Sequence, residues 1–154
     1  MDILEHFGTW RNVITMPAGQ ELFHEGEPAT VMYVLLDGST NVIVGETIVE
    51  IAGPGALLGE MALVDEEPRS ATVVSRMKSR LACVDRAYFD RLVREKPEFA
   101  RHVMRVMADR LRSMNKAIRA AQGHNKIDAE QEAQPDKVNM NGTPSTDAST
   151  TAPN

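Results

Sequence analysis

Between Val13 and Asp85 the sequence consists of short apolar runs separated by Gly, Pro and Asp residues. The runs are rich in Val, Ile and Leu, as is typical of β-strands bounded by turns. The clearest runs are Val31 to Leu36, Val42 to Val44, Ile48 to Ile51, Thr72 to Val74 and Leu81 to Val84. This pattern predicts a small antiparallel β-barrel or jelly roll of about eight short strands.

After the last of these runs the spacing of apolar residues changes to that of helices. Pro97 separates a short helix, from about Arg86 to Arg94, from a long one that extends from about Glu98 to Gln122. Gly123 is a residue at which the long helix is expected to stop. With a further helical segment within residues 3 to 10, the predicted fold class is mainly β with α.

The C-terminal part of the sequence differs in composition from the rest. Residues 123 to 154 are rich in Asn, Thr, Ser, Pro, Asp and Glu and contain hardly any large apolar side chains. Such a segment cannot bury enough surface to offset the entropy that ordering costs. The sequence therefore predicts one domain, residues 1 to 122, followed by a disordered polar tail, residues 123 to 154.

The segment from Gly53 to Val73 contains the residues best suited to hold a ligand. Its glycines let the backbone turn tightly and approach a bound molecule closely. Residues 60 to 63 can form one helical turn, and the N–H groups at the start of such a turn attract an anion. Arg69 follows a proline and opens a strand, and its planar guanidinium can bind two phosphate oxygens at once.

These residues also have a simpler interpretation, in which the segment is a surface loop with an ordinary salt bridge between Glu60 and Arg69. In either case the alternation of the strand that Arg69 opens places Arg69 and Ala71 on one face.

Two motifs stand six residues apart in this segment: Gly59-Glu60-Met61-Ala62-Leu63, and Arg69-Ser70-Ala71-Thr72-Val73 with Pro68 before it. Together they resemble the phosphate-binding cassette of the cyclic-nucleotide-binding domain family, which has the catabolite-activator-like regulatory fold. The strands and turns upstream also match this family, at Pro17-Ala18-Gly19, Glu25-Gly26-Glu27, Tyr33-Val34-Leu35 and Asp37-Gly38. The resemblance covers roughly residues 3 to 119.

The resemblance implies a role for each residue of the cassette. Arg69 is expected to bind the cyclic phosphate, and Glu60 the ribose 2′-hydroxyl. Supporting contacts are expected from the backbones of Gly59, Met61, Ala62 and Ser70. The chemistry agrees, because a carboxylate accepts a hydroxyl hydrogen bond while a guanidinium and N–H groups oppose one negative charge.

The resemblance also implies that a residue of the last helix covers the base. Arg110, thirteen residues after Pro97, stands where some members have a capping arginine, and a guanidinium can stack on a purine. The alternative is an ordinary solvated charge. Candidates for an apolar wall around the base are Val49, Ile51 and Met61, although core packing explains each of them nearly as well.

The expected ligand is cAMP. The alternative, cGMP, stays open because the Ser70 hydroxyl is compatible with either base. No cofactor, metal site or catalytic residue is expected. The histidines lie far apart at positions 6, 24, 102 and 124 without a His-x-His pair, which argues against a metal-dependent enzyme of the similarly shaped cupin class. No nucleophile with an adjacent base is recognisable.

The long helix carries a further pattern that bears on partners. Transcription factors of this family continue from that helix into a helix-turn-helix module, whereas a polar tail is expected here, so no nucleic-acid binding is expected. Apolar residues recur at alternating spacings of three and four, which resembles a heptad seam: Met104, Met107, Leu111, Met114, Ile118 and Ala121. Packing on the barrel explains part of this seam, and a homodimer or another protein is a candidate partner for the rest.

These features favour a cyclic-nucleotide sensor that signals to an unidentified effector protein through its C-terminal helices. The alternatives are an interaction protein that keeps the fold without binding nucleotide, and the regulatory module of a system whose output is a separate chain. No basic leader with an apolar region is visible, and no run approaches 18 uninterrupted apolar residues. A cytoplasmic location without membrane contact is therefore expected.

Overall fold

The computed structural model describes residues 1–132. Its elements, in chain order, are α1 (Ile3–Phe7), β1 (Val13–Met16), β2 (Glu21–Phe23), β3 (Val31–Asp37), β4 (Thr40–Val44), β5 (Thr47–Ala52), β6 (Leu57–Leu58), α2 (Met61–Asp65), β7 (Thr72–Ser75), β8 (Ser79–Asp85), α3 (Arg86–Glu95) and α4 (Pro97–Glu132). The five apolar runs singled out in the sequence correspond to β3, β4, β5, β7 and β8. The predicted mixture of a small β-barrel and helices is confirmed.

The strands form two antiparallel sheets. The first has the order β1-β8-β3-β6, and the second has the order β2-β7-β4-β5. The longest pairing is between β3 and β8, from Val31 opposite Asp85 to Asp37 opposite Arg80. Strands that are neighbours in a sheet are mostly distant in sequence, which is the arrangement of a jelly roll rather than of consecutive hairpins.

Two hydrophobic clusters lie on opposite faces of the first sheet. One fills the barrel between the sheets and includes Leu35 of β3 and Leu81 of β8. The other packs the outer face of that sheet against the helices and includes Val34 of β3 and Ala82 of β8. Because successive side chains of a strand point to opposite faces, a sheet that is covered on both sides needs uninterrupted apolar runs.

Side-chain caps and a proline set where the helices begin. The Asp2 carboxylate accepts a hydrogen bond from the Glu5 amide (3.0 Å) at the start of α1, and the Asp85 carboxylate accepts one from the Tyr88 amide (2.8 Å) at the start of α3. Pro97 is the first residue of α4, a position that has no intrahelical acceptor for an N–H group in any case.

The predicted end of the long helix at Gln122 is wrong, because α4 continues through Gly123 to Glu132. A glycine costs a helix only about 1 kcal/mol relative to alanine, and extension adds one hydrogen bond per residue once the helix exists. The predicted disorder of residues 123 to 154 stays a prediction, and residues 133–154 lie outside the described part of the chain.

The chain divides into two compact units, Met1–Leu111 and Arg112–Asn154. The first contains both sheets, helices α1 to α3 and the start of α4. In the second, the structure describes residues 112–132, which are helical and whose apolar side chains Met114, Ile118 and Ile127 are exposed. None of the helices in the described part of the chain combines the length and apolar composition that crossing a membrane requires.

We expect Phe99→Ala to lower the free energy of unfolding by about 3–5 kcal/mol, since it would leave a cavity beneath the first turns of α4. The Phe99 side chain is fully buried and meets Phe89 edge-on at 5.6 Å between ring centroids. Urea unfolding followed by circular dichroism measures the change. Met104→Ala, at an exposed position of the same helix, is the control and is expected to cost less than about 0.5 kcal/mol.

Candidate functional site

Gly59 connects β6 to α2 and allows the chain to pass close to a buried arginine. Its φ is +76°, which favours glycine, and a Cβ at this position would collide with Nη1 of Arg69. The same Cβ would also approach the Phe23 ring to 3.3 Å. Glycine is therefore required here both by the backbone conformation and by the arginine beside it.

Two hydrogen bonds to the segment after β2 fix the backbone of Arg69 just before β7. Its N–H donates to the Glu27 carbonyl (2.8 Å), and its own carbonyl accepts from the Gly26 N–H (2.9 Å). The predicted alternation is confirmed, because Arg69, Ala71 and Val73 are all buried while Ser70 between them is exposed. The Arg69 side chain therefore lies on the side of β7 that faces the barrel interior.

The guanidinium of Arg69 is buried beside an aromatic ring and a backbone carbonyl. It lies 4.0 Å from the centroid of the Phe23 ring, and its Nη1 donates to the Gly59 carbonyl (3.3 Å). Its Nε is buried and has no hydrogen-bond partner, and no carboxylate among residues 1–132 forms a salt bridge with it. Burial lowers the pKa of this arginine from its usual value. A buried cation with an unused donor is suited to bind an anion.

Glu60 stands beside this arginine and is fully buried. It is the N-cap residue of α2, but its side chain does not cap the helix. Instead, Oε1 accepts a hydrogen bond from Nη1 of Arg110, while Oε2 is buried and has no hydrogen-bond partner among residues 1–132. Arg110 thus balances the charge of this carboxylate through Oε1, and Oε2 remains available to accept a hydrogen bond.

Arg110 of α4 joins three parts of the barrel. Besides the Glu60 contact, its Nε donates to Glu50 of β5 (2.8 Å) and its Nη2 donates to the Leu57 carbonyl of β6 (2.8 Å). Burial alone would lower the pKa of Arg110, but the carboxylates of Glu60 and Glu50 outweigh that effect and raise it. The predicted alternative of a Glu60–Arg69 salt bridge is wrong, since the described structure pairs Glu60 with Arg110.

The remaining predicted residues divide into two groups. Met61 and Ser70 lie together, with the Ser70 hydroxyl 3.6 Å from the Met61 sulfur, and Ala62 follows in the first turn of α2. Val49 and Ile51 are more than half exposed. Ile51 alternates along β5 with Glu50 and Ala52, so it points to the face opposite theirs. Ile51 therefore lies on the side of β5 opposite the Arg110 contact.

Glu50 is the site residue that sequence reasoning missed. Its side chain is about one third exposed (32%) and forms the second salt bridge of Arg110. A signal for it was present, because an acid between the apolar residues Val49 and Ile51 must point to the other side of the strand, toward the face of Ala52. Phe23, which packs against Arg69, carried no comparable signal, since an aromatic residue in a short strand is ordinary core.

The arrangement is suited to bind a ligand. A buried guanidinium and a buried carboxylate oxygen, both with unused hydrogen-bonding capacity, suit a molecule with an anionic group next to a hydroxyl. Among residues 1–132, no group of three or more His, Cys, Asp or Glu side chains is arranged to hold a metal ion.

Comparison with known proteins agrees with this geometry. The model of the family described as the cyclic nucleotide-binding domain matches residues 13–96, which include β1 to α3 and the whole cassette. The match covers more than half of the chain, so the chain belongs to the cyclic-nucleotide-binding domain family. The resemblance stated from the sequence is confirmed.

Individual relatives differ in what they contain besides this domain. The chain is 29% identical over 109 residues to a CRP-like cAMP-activated global transcriptional regulator of Mycobacterium tuberculosis, a match covering 66% of this chain and 48% of the relative. It is 41% identical over 86 residues to a cyclic nucleotide-gated potassium channel of Mesorhizobium japonicum, covering 56% and 24%. The chain thus spans half or less of the length of these curated relatives.

Among solved structures, one concerns a cyclic-GMP-dependent signalling pathway that regulates bacterial phytopathogenesis. The chain is 30% identical to it, with a TM-score of 0.61, and the match covers 70% of this chain and 89% of that one. The descriptions of these similar proteins thus refer to cAMP for the regulator, to a cyclic nucleotide for the channel and to cyclic GMP for the signalling pathway.

We expect Gly59→Ala to destabilise the protein by at least about 1 kcal/mol more than Gly19→Ala. Both glycines have positive φ, +76° and +81°, so an alanine carries similar backbone strain at either. Only at Gly59 does the new Cβ meet a buried side chain, and at Gly19 it meets nothing within 4 Å. Urea unfolding of both variants measures the difference, and equal costs would contradict the close approach of Arg69.

Proposed function

We propose that this domain binds cAMP, with the cyclic phosphate on Arg69 and the ribose 2′-hydroxyl on Glu60. The observation that carries the proposal is a pair of buried atoms, Nε of Arg69 and Oε2 of Glu60, that have no hydrogen-bond partner in the described part of the chain. Leaving a buried polar group unpaired costs about 1–3 kcal/mol, and more for a charged one. A ligand that satisfies both atoms recovers that free energy on binding.

The charges of the site also match a cyclic nucleotide. Glu60 has Arg110 as its counter-ion, whereas Arg69 forms no salt bridge with a carboxylate in the described part of the chain. A cyclic phosphodiester carries one negative charge, which Arg69 balances. The N–H groups of Met61 and Ala62, in the first turn of α2, have no intrahelical acceptors and add donors for the same phosphate, with support from the backbones of Gly59 and Ser70.

The phosphate and ribose are common to cAMP and cGMP, so the base decides between them. We propose cAMP as the ligand, with support from the similarity to a cAMP-activated regulator, and cGMP as the ligand to compare. Arg110 is the candidate to stack on the base, because its contacts with carboxylates and a carbonyl lie along the edge of its guanidinium. Of the predicted base wall, Met61 stays proposed because it belongs to the cassette, whereas the exposed Val49 and Ile51 flank Glu50 on β5, and Ile51 points away from the Arg110 contact.

We expect Arg69→Ala to weaken cAMP binding by at least about thirtyfold while the domain stays folded. Removing one partner of a desolvated charge pair costs about 2–5 kcal/mol, and each 1.4 kcal/mol is a factor of ten in affinity. Isothermal titration calorimetry with cAMP and with cGMP measures the loss. Arg80→Ala, at an exposed arginine of β8, is the matched control and should bind like wild type.

An Arg69→Ala variant that binds within threefold of wild type would show that the phosphate lies elsewhere. If the wild-type chain binds neither nucleotide, the domain is instead an interaction protein that has kept the fold. That second function is less well supported, because an interaction surface does not require a buried arginine without a counter-ion.

We further propose that the bound nucleotide signals through α4. Arg110 connects α4 to β5, to β6 and to Glu60. A ligand hydroxyl bound to Oε2 of Glu60 therefore acts on the same carboxylate that contacts Arg110. A ligand shifts the balance between two arrangements of α4 only if it binds them with different affinities. An effector protein, or a second copy of the chain, then recognises α4 through its exposed apolar side chains, Met104, Leu111, Met114 and Ile118. The domain acts as a sensor without catalytic activity.

We expect Arg110→Ala to destabilise the domain by about 3 kcal/mol, since Glu60 would remain buried without a counter-ion. The variant should also lose the change in amide hydrogen exchange that saturating cAMP causes in residues 98–111 of the wild-type protein. Arg105→Ala, at an exposed position of α4, is the control and should keep both properties. Unchanged exchange in these residues of the nucleotide-bound wild type would contradict signalling through α4.

A further inference from the structure

The planar face of the Arg69 guanidinium lies over the ring of Phe23, the last residue of β2. Its central carbon is 4.0 Å from the centroid of the ring. A cation is attracted to the face of an aromatic ring within about 6 Å of the centroid, and more strongly where water is excluded. Both side chains are buried. The ring therefore stabilises the charge of Arg69 in place.

The neighbours of Phe23 fix the position of its ring. Tyr33 of β3 stacks on it, with 6.1 Å between the ring centroids. Phe23 is paired with Val73 of β7, so the ring and the arginine are carried by adjacent strands. On another side the backbone passes so close that a Cβ on Gly59 would approach the ring to 3.3 Å. Phe23 thus offers the guanidinium a surface of fixed orientation.

An aromatic ring and an anion use different parts of a guanidinium. The ring contacts the planar face, whereas the N–H donors point outward in the plane. Among these donors, Nη1 of Arg69 donates to the Gly59 carbonyl (3.3 Å), and Nε has no hydrogen-bond partner among residues 1–132. Phe23 therefore stabilises the cation without occupying its donors, which a carboxylate counter-ion would occupy.

The carboxylate of Glu60 is the nearby group that could compete for those donors. Burial lowers the pKa of Arg69 from its usual value, and the neighbouring Tyr33 acts against this shift. Glu27 and Glu60 also act against it. Oε2 of Glu60 is buried and has no hydrogen-bond partner in the described part of the chain. A salt bridge between Glu60 and Arg69 would satisfy both groups, but none is formed among residues 1–132.

We propose that Phe23 is a positioning residue of the nucleotide site, which holds Arg69 in an orientation that keeps it from pairing with Glu60. This inference rests on the proposed function, because it takes Arg69 as the residue that binds the phosphate. The ring fixes the plane of the guanidinium, so that the donors at its edge stay directed to the ligand. Without the ring, Arg69 turns to Oε2 of Glu60, and a nucleotide must first break that pair.

The test is isothermal titration calorimetry of the full chain with cAMP and with cGMP. Phe23→Leu keeps an apolar side chain but lacks the ring face, and we expect it to bind cAMP about tenfold more weakly. This is the loss expected when the competent orientation of Arg69 falls to about a tenth of the population. Phe23→Tyr keeps the ring and should bind within about threefold of wild type. Met16→Leu, in the same hydrophobic cluster, is the control and should bind like wild type.

A double-mutant cycle separates positioning from a general loss of packing. In an Arg69→Ala background there is no guanidinium to orient, so adding Phe23→Leu should weaken binding by less than about twofold. Independent effects would multiply instead, giving about a further tenfold loss. If binding to Arg69→Ala is too weak to measure, the comparison of Phe23→Leu with Phe23→Tyr decides.

The outcomes distinguish this inference from the function on which it rests. A wild-type chain that binds neither nucleotide removes the proposed function and the role of Phe23 with it. Normal wild-type binding together with a Phe23→Leu affinity within about threefold of wild type overturns the inference alone. Equal losses in Phe23→Leu and Phe23→Tyr overturn it as well, as does a further tenfold loss in the double variant. If Phe23→Leu does not fold, Phe23→Met takes its place with the same expected loss.

Discussion

The ion pair between Glu60 and Arg110 is the interaction on which the candidate site depends. Glu60 is fully buried, and an isolated charge in that position would cost several kcal/mol. Arg110 offsets this cost only because α4 brings its side chain to β5, β6 and the start of α2 together. The position of α4 and the charge of the cassette are therefore parts of one arrangement.

The same arrangement leaves Arg69 as a buried cation that forms no salt bridge within the described residues 1–132. Its backbone is fixed by hydrogen bonds to two neighbouring residues, Gly26 and Glu27, and its guanidinium rests on Phe23 beside Gly59. The site is thus preorganised for an anion, since the donors are already oriented and little conformational entropy is lost when a ligand arrives. Arg69 and Glu60 differ electrostatically, because Arg110 balances the charge of Glu60 whereas no carboxylate among residues 1–132 forms a salt bridge with Arg69.

Much of the fold could be predicted because it follows from local patterns. The apolar runs of β3 and β8 reflect a sheet that is buried on both faces, and Pro97 marks the start of a helix through its backbone geometry. The end of α4 could not be predicted in this way. Gly123 is a common signal for the end of a helix, but a single unfavourable residue does not outweigh continued hydrogen bonding along the chain.

By itself, the sequence determined the order of the main strands and helices, the turn at Gly59, the family, and the choice of Glu60 and Arg69 as candidate ligand residues, because these depend on residue type and short spacings. Only the tertiary structure decided which charges are paired. It placed Glu60 with Arg110, fifty residues away, added Glu50 to that pair, and separated Ile51 from them across the strand. Such pairings depend on how distant elements pack, and the energy of a buried charge depends on its whole surroundings rather than on its neighbours in sequence.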